Sequence, residues 1–586
     1  MPATVSYQVR MDAPHAHLFE VEMRVEGWPG DTLTLKLPVW TPGSYLVREY
    51  SRHIQDFEAG TSEIPLGWSK LAKQTWQVDT GGHSDIRVLY RVYANELTVR
   101  TSHLDSTHAY FNGACLFLYV CGLEDQPHTV TVLPPHADWQ VTTALSAVDQ
   151  DGASSYTYRA TNYDELVDSP FEVGTHRVIP FMVLGKPHTL AIWGKSNLDL
   201  SRYLSDLESI ITAEAKLFDG KLPYERYVFI IHFADSYGGL EHHNSTTLLY
   251  SRFELRPDDK YFKFICLSAH EFFHLWNVKR IRPSTLDRFD YEQENYTRSL
   301  WFMEGATSYY DEVIPLRAGI YEAAHYLKLL TGHITRLQST PGRLVQPLEE
   351  SSFDTWIKLY RPNENSLNSQ VSYYLKGQLV CCLLDLQIRY LSGAERSLDD
   401  VMRKLWSDYG AQGRSFPEGE LQALIEYVAG CSLATFFERT LRSTVELDYN
   451  DYFERFGLEL ITRSEPDAAP YLGARTQIKE GRTLVQAVEW GSPAHQGGLN
   501  TGDELLALNG WKVDHGNLKE RLKDCAPGSI VQLTHFRREE LITSTVQLEV
   551  PAAGYHIEVM AQTTEEQDRL LQGWLGPSSE LLRTQR

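Results

Sequence analysis

The chain has 586 residues, of which 42% are hydrophobic and 12% aromatic, and its formal net charge is −22. This length and composition predict two to four domains with buried cores and argue against a disordered chain. The negative charge argues against nucleic acid as a partner, because phosphate recognition needs a basic surface. A simple role in keeping the protein in solution accounts for that charge.

The cysteines and the N-terminus predict a cellular compartment. Seven cysteines occur and none has CxxC spacing, which favours a reducing compartment over a disulfide framework. The first residues lack the apolar core of a signal peptide, and no apolar run approaches the length of about 18 residues that a membrane span needs. We therefore expect a cytoplasmic protein without a membrane partner.

Residues 1–169 are predicted to form an antiparallel, β-sandwich-like N-terminal domain. Short runs alternate apolar and polar residues, as half-buried strands do, and Gly- or Pro-containing turns separate them. The predicted strands are 19–25, 32–37, 86–92, 129–132 and 155–159. We interpret segment 40–45 (WTPGSY) as an aromatic turn that packs on this sheet.

Residues 170–462 are predicted to form a second domain that passes from strands to helices, an α+β arrangement. The expected strands are 171–174, 188–193 and 227–233. The expected helices are 200–218, one from an N-cap in 257–259 to about Val278, one carrying 301–310 and stopping near Pro315, 371–390 and 398–409. A third domain is predicted over residues 463–550. Its pattern indicates short strands at 471–474, 483–488, 504–508, 530–536 and 544–548. The tail, 551–586, shows weak helical signals and no recognisable chemistry.

The pattern HEFFH at 270–274 predicts a metal site on a helix. His270 and His274 are four residues apart, so they lie on one helix face and can reach one Zn²⁺ together. Glu271 lies about 100° round the helix, where its carboxylate can reach a water on the metal without being a ligand. The alternative is a buried helix whose histidines form hydrogen bonds in the core.

A hydrolytic zinc site takes three protein ligands and keeps a fourth position open. Glu304 is the best third candidate, because its apolar neighbours in WFMEG leave a carboxylate in need of a partner. Gly305 after it permits another helix to approach closely. Asp311, two turns further on the same face, is predicted to accept a histidine N–H. The alternatives are an ordinary helix glutamate and a surface aspartate.

The segments HEFFH, WFMEGATSYY and YYLKG resemble the gluzincin metallopeptidases. The segment GGLEH at 238–242 resembles the exopeptidase motif of the aminopeptidase N relatives. The longer match HEFFHLWNVKRIRP, together with a PDZ-like C-terminal module, resembles the glycyl aminopeptidase family most closely. The resemblance implies three parts: the N-terminal β domain, a thermolysin-like α+β catalytic domain and a PDZ domain.

The resemblance also implies roles for individual residues. His270, His274 and Glu304 would bind one Zn²⁺ per chain, and Glu271 would be the general base. Glu241 would hold the α-amine of the substrate, with Gly238 and Gly239 beside it. Tyr374 would donate to the oxyanion, and Tyr373 remains an alternative. The implied activity is removal of N-terminal residues, small ones such as glycine or alanine, from peptides with a free N-terminus.

The C-terminal module resembles a PDZ domain of the bacterial protease type through GSPA at 491–494, GDEL at 502–505 and Asn509-Gly510. Leu472, Gly473 and Ala474 match the loop whose backbone N–H groups hold a peptide C-terminus in such domains. The module could bind peptides or only pack on the catalytic domain. Two other functions remain open: a catalytically silent peptide-binding scaffold, and a zinc hydrolase for another substrate class such as an endopeptidase or epoxide hydrolase.

Overall fold

The computed structural model describes residues 3–148, 156–463, 467–551 and 553–584. The chain forms two compact units. Segments from the middle of the sequence are divided between them. The first unit comprises Met1–Tyr296, Tyr310–Ile320 and Met402–Glu418. The second comprises Thr297–Tyr309, Tyr321–Val401 and Gly419–Arg586.

The N-terminal region is rich in β-structure, as the alternating pattern predicts. The predicted strands are confirmed to within one residue at each end, except that Ser155 lies outside the described residues. The strands are Thr4–Arg10, Leu18–Glu26, Thr32–Lys36, Ile54–Gly60, Trp68–Ala72, Thr75–Asp79, Ile86–Tyr93, Ser102–Leu104, His108–Phe111, Tyr119–Val120, His128–Leu133, Gln140–Thr143, Ser146–Ala147, Tyr156–Ala160 and Phe171–Gly174.

These strands form one seven-stranded and two four-stranded sheets. In Leu18–Glu26, every second residue from Phe19 to Val25 is buried, so one face of the strand supplies the core and the other faces solvent. Among the described residues, the strand pairs of this region are antiparallel, as predicted, except for one. Thr4–Arg10 pairs in parallel with His128–Leu133, which a sequence pattern of period two cannot reveal.

The second predicted domain begins with a five-stranded sheet. Its strands are Arg177–Val183, Lys186–Trp193, Tyr227–Phe233, Gly238–Glu241 and Ser245–Tyr250. Tyr227–Phe233 has parallel neighbours on both sides and is buried throughout, which explains its continuous apolar run. Gly238–Glu241 is the last strand of the sheet and pairs antiparallel with Ser245–Tyr250.

Two helices pack beside this sheet in the first unit. Leu200–Leu217 is capped by Asp199, whose side chain accepts from two backbone N–H groups, and it confirms the predicted helix. Asp258–Phe273 carries the HEFFH motif. Its N-cap residue is Pro257, which offers no side-chain hydrogen bond, and its C-cap residue is His274. The helix therefore ends earlier than the predicted end near Val278. The chain turns there, and Val278 takes a φ of 111°.

The later part of this predicted domain is helical, so the α+β prediction is confirmed. Its helices are Leu300–Met303, Gly305–Arg317, Ala323–Gln338, Leu348–Phe353, Ser366–Ser369, Tyr373–Leu391, Leu398–Asp408, Leu421–Ala429, Ala434–Leu441 and Asn450–Phe453. The helix ends at Arg317, two residues beyond the predicted stop near Pro315, and the proline lies inside its last turn. Near a helix end, proline removes only one hydrogen bond.

The PDZ-like module lies in sequence between two strands that pair with each other. Leu458–Arg463 pairs antiparallel with Gly554–Val559, and the module lies between them in sequence. Its elements are the strands Ala474–Lys479, Arg482–Val488, Glu504–Leu508, Trp511–Lys512, Ile530–Arg537 and Glu540–Gln547, and the helices Pro493–Gln496 and Leu518–Lys523. The predicted strand over 471–474 is wrong, because Leu472 and Gly473 form a loop, Tyr471 makes only an isolated bridge with Glu549, and the first strand begins at Ala474.

The C-terminal segment belongs to the core of the second unit, which weak helical signals in the sequence do not indicate. Its helix Glu565–Leu575 carries Trp574, which is 2% exposed. The Trp574 indole N–H donates to the hydroxyl of Tyr309 at 3.1 Å, and that hydroxyl donates to Asp385 at 2.6 Å. Arg389 donates to the carbonyl of Gly573 at 2.6 Å. The segment thereby anchors the long helix Tyr373–Leu391.

Two further observations concern the whole chain. No disulfide bond joins any of the seven cysteines. Among the described residues, no helix combines the length and the apolar character needed to cross a bilayer.

Candidate active site

The centre of the candidate site is the C-terminal end of helix Asp258–Phe273. His270 and His274 are one helical turn apart, and their rings meet edge to face with centroids 4.7 Å apart. Their Nε2 atoms face each other at 3.1 Å. His274 is 1% exposed, and Glu271 between them is 5% exposed.

The hydrogen bonds on the far side of each ring determine where the protons are. Nδ1 of His270 lies 2.8 Å from a carboxylate oxygen of Asp311, and Nδ1 of His274 lies 2.8 Å from the carbonyl oxygen of Asn277. Both partners only accept, so each Nδ1 carries the proton. The two Nε2 atoms are then left facing each other at 3.1 Å. Two unprotonated nitrogens this close repel unless they share a cation, and imidazole nitrogens suit Zn²⁺.

Glu271 is positioned by close contact with the edge strand. A Cβ atom added to Gly239 would lie 1.9 Å from Oε1 of Glu271, a distance that no side chain can occupy. Only glycine therefore allows the strand to pass this close to the carboxylate. The carbonyl of Gly239 also accepts a hydrogen bond from Arg100 at 3.4 Å.

Glu241 lies at the end of the same strand and points to the same place. Its carboxylate, Glu271 and His274 have ligand atoms within 4.8 Å of one another. Glu241 is 4% exposed, and it forms no ion pair within the part of the chain that the structure describes. Burying a carboxylate without a cation is costly, so this arrangement favours a positively charged ligand.

Behind Asp311 lies a glutamate that the sequence analysis did not single out. Glu214, on helix Leu200–Leu217, is fully buried. Burial raises the pKa of Glu214 well above its ordinary value, and the nearby negative charge of Asp311 raises it further. Both causes favour the protonated form of this side chain. Its place in the apolar stripe of that helix, seven residues after Leu207, was a signal that could have identified it.

The second unit assembles the remaining candidates. Glu304 follows helix Leu300–Met303 and is 2% exposed. Gly305 lets this segment pack directly on helix Tyr373–Leu391, because an added Cβ would lie 2.7 Å from the Cα of Gly377. Burial raises the pKa of Tyr374, and the charge of Glu304 raises it further. The Tyr374 phenol thus remains protonated and able to donate.

The neighbouring tyrosine has a different environment. Tyr373 is fully buried, and its hydroxyl accepts from Thr355 at 3.1 Å. Tyr374 is only half-buried, and its hydroxyl lies 3.3 Å from that of Tyr360. Of the two, Tyr374 has the accessibility that a substrate-contacting phenol needs.

A separate buried cluster of histidines and a carboxylate was missed by the sequence analysis. Glu172 is fully buried, and its two oxygens lie 3.0 Å from Nδ1 of His108 and 2.8 Å from Nε2 of His232. The ring of His108 stacks on Trp193 with centroids 3.7 Å apart. The histidines are far apart in sequence, so no local spacing could have indicated the cluster.

This cluster should make the stability of the protein depend on pH. Burial alone would raise the pKa of Glu172, but attraction and hydrogen bonds from His108 and His232 lower it from 4.5 to about 2. A depressed pKa stabilises the folded state above pH 4.5, and that contribution is lost as the pH falls towards 2. We expect Glu172→Gln to flatten the fall in apparent Tm across this range. Parallel Tm profiles for the two proteins would contradict this expectation.

The loop at 472–474 lies at the entrance to the first strand of the PDZ module. Gly473 has a φ of +74° and packs against Ser492, where a Cβ would lie 2.1 Å from the serine Cβ. The carbonyls of Leu472 and Gly473 accept from Ala494 and Glu489. Asn368 bonds to the backbone of Val488 and Trp490 at 2.9 Å each. The module therefore also contacts helix Ser366–Ser369.

Comparison with known families gives three matches along the chain. Residues 6–175 match the Peptidase M61 N-terminal domain, residues 263–380 match the M61 glycyl aminopeptidase family, and residues 470–548 match the PDZ domain. No curated protein sequence matches the chain. The fold and these matches define the protein as a metallo-aminopeptidase, a hydrolase of peptide bonds.

A solved structure identifies the family. The chain is 32% identical to an aminopeptidase N family protein from Idiomarina loihiensis, with a TM-score of 0.92 over 98% of this chain and 100% of that one. The chain belongs to the M61 glycyl aminopeptidase family. More distant similarities include an M1 zinc metallopeptidase from Deinococcus radiodurans, at 16% identity and a TM-score of 0.45 over 76% of this chain and 92% of that one. Another is Legionella pneumophila aminopeptidase A, at 12% identity and a TM-score of 0.47, with 82% of this chain and 55% of that one covered.

Proposed function

We propose that the protein is a zinc-dependent aminopeptidase that removes small N-terminal residues, glycine or alanine, from peptides. The observation that carries the proposal is the approach of Nε2 of His270 to Nε2 of His274 at 3.1 Å, while both Nδ1 atoms are hydrogen-bonded elsewhere. The preference for small residues is supported by the family alone. One Zn²⁺ per chain would be held by His270, His274 and Glu304.

Helix geometry supports Glu304 as the third ligand. Asp311 hydrogen-bonds to His270, and it lies on helix Gly305–Arg317, which begins immediately after Glu304. Seven residues are close to two helical turns, so Glu304 and Asp311 project from the same side of this segment. The pairing of a ligating histidine with a carboxylate on its other nitrogen is typical of zinc sites, because it orients the ring.

The residues around this centre have the chemistry that peptide hydrolysis needs. Zn²⁺ in this site would acidify a water molecule and polarise the scissile carbonyl. Glu271 would take the proton from that water and pass it to the leaving amine. Tyr374 would donate a hydrogen bond to the oxygen on which negative charge develops. The backbone of the edge strand Gly238–Glu241 can align an extended peptide.

Glu241 makes the proposed peptidase specific for chain ends. Its buried carboxylate lies beside Glu271 and His274 and has no ion-pair partner among the described residues. The α-ammonium of a substrate would supply that partner through a charge-assisted hydrogen bond. The bound amine would then set which peptide bond reaches Glu271. Separately, the loop at Leu472, Gly473 and Ala474 would accept peptide C-termini, because PDZ loops bind a carboxylate with backbone N–H groups.

The decisive experiment compares a free-amine aminoacyl substrate with its N-acetylated form. We expect the wild type to hydrolyse only the free amine, and Glu241→Gln to lower kcat/KM roughly 10- to 100-fold while zinc content stays at one per chain. Glu225→Gln removes a carboxylate that is 96% exposed and serves as the control. Equal rates on both substrates would indicate a zinc hydrolase of another class. Bound zinc without turnover on any substrate would indicate a scaffold.

A further inference from the structure

Segment 41–44 of the N-terminal domain is a tight turn that reaches the candidate site. The backbone N–H of Ser44 donates to the carbonyl of Thr41 at 3.1 Å, which closes the turn. Pro42 and Gly43 are its central residues, and Gly43 has a φ of +83°. Proline followed by a glycine with positive φ is the pattern of a type II turn.

The turn is held by several contacts within the first unit. Before it, the indole of Trp40 is fully buried and donates to the carbonyl of Asp290 at 2.7 Å. Within it, the Thr41 hydroxyl donates to Asn112 at 3.3 Å, and the Ser44 hydroxyl accepts from Arg48 at 2.9 Å. Side chains on both sides of Gly43 therefore restrain the position of its backbone.

Gly43 rests directly on the carboxylate of Glu241. A Cβ added to Gly43 would lie 2.7 Å from both Glu241 oxygens and 2.7 Å from Cδ1 of Leu240. Carbon and oxygen atoms do not approach this closely without a bond. The backbone of the turn thus covers one face of the carboxylate, and any larger residue at this position would have to displace it.

We propose that Gly43 is a positioning residue of the amine subsite, which rests on the proposed function of Glu241. The turn fixes the Glu241 carboxylate so that an α-ammonium can meet it only from the uncovered side. The same backbone occupies the space that a peptide extended beyond its amine would need. The N-terminal domain therefore contributes to exopeptidase specificity, and WTPGSY does more than pack on its sheet.

The test compares two alanine substitutions with the same backbone cost. Gly43→Ala adds a methyl group against Glu241, whereas Gly82→Ala adds one at a φ of +80° with no heavy atom within 4 Å. Both substitutions place alanine at a positive φ, which is strained for any residue other than glycine. Both should therefore lower Tm, and Gly43→Ala should lower it more because of its contacts with Glu241 and Leu240. Only Gly43→Ala should lower kcat/KM on a free-amine substrate, on the order of 100-fold, and shrink the preference over the N-acetylated form.

A double-mutant cycle separates positioning from general damage. In a Glu241→Ala background the carboxylate is absent and only the contact with Leu240 remains, so Gly43→Ala should cause a much smaller loss of kcat/KM than it does in the wild type. Independent, multiplying losses would overturn the inference, as would a Gly43→Ala enzyme that discriminates like the wild type. If Gly43→Ala does not fold, Pro42→Ala loosens the same turn and should reduce the discrimination partially; unchanged discrimination would overturn the inference.

The outcomes distinguish this inference from the proposed function. If the wild type and Glu241→Ala treat free and acetylated substrates alike, the role of Glu241 is wrong and the inference falls with it. If Glu241→Ala abolishes discrimination and Gly43→Ala does not alter it, only the inference about the turn is wrong.

Discussion

Replacing Glu271 by glutamine is expected to abolish most turnover while the protein keeps its metal. Glutamine has nearly the same shape but cannot accept a proton, so kcat should fall roughly 10²- to 10⁴-fold, the usual contribution of a general base. Metal affinity should be retained, because His270 and His274 keep their hydrogen bonds to Asp311 and Asn277. Metal analysis and steady-state kinetics on the same preparation measure both effects.

His274→Gln serves as the control variant in which metal binding itself should be impaired. It removes a Nε2 lone pair rather than the base, so activity and metal content should fall together. If Glu271→Gln also lost its metal, Glu271 would be a ligand or a structural residue and the assignment of the base would be wrong. If Glu271→Gln kept full activity, another group would be the base.

Replacing Gly239 by alanine is expected to be nearly as damaging, although glycine has no side chain to contribute chemistry. The new Cβ would lie 1.9 Å from Oε1 of Glu271, so either the base or the strand must move. A displacement of about 1 Å in an active site can cost on the order of 100-fold in rate. The loss should appear in kcat, with the metal retained.

The neighbouring glycine provides the comparison. An alanine Cβ at Gly238 would meet its nearest atoms, on Arg100 and Val99, at 3.6 and 3.7 Å, which is ordinary van der Waals contact. Gly238→Ala should therefore lose much less activity than Gly239→Ala, and its loss should appear mainly in KM. Similar effects of the two substitutions would show that the clash with Glu271 does not limit the reaction.

Local sequence patterns predicted the individual helices and strands of this protein well. The spacing of His270 and His274 depends only on the 3.6-residue helical repeat, so it could be recognised without a structure. The same holds for strands such as Leu18–Glu26, whose alternation reflects one buried face. Helix ends were less predictable: the helix with His274 ends early and the helix with Pro315 continues, because tertiary contacts decide where marginal last turns stop.

Long-range relations could not be predicted in the same way. The cluster of His108, Glu172 and His232 joins three distant strands. Trp574 is buried against Tyr309, 265 positions earlier in the chain. Sequence periodicity reports which face of an element is buried, but it contains no information about which distant element covers that face.

The sequence by itself determined the family, the three-part organisation and the identity of the chemical groups at the HEFFH helix. Only the tertiary structure showed that both Nδ1 atoms of that helix are occupied, that Gly239 makes room for Glu271, and that Gly43 covers Glu241. The physical reason is that side-chain chemistry and helical spacing are local properties of the chain. Close approach between backbone and carboxylate depends instead on how separate elements pack.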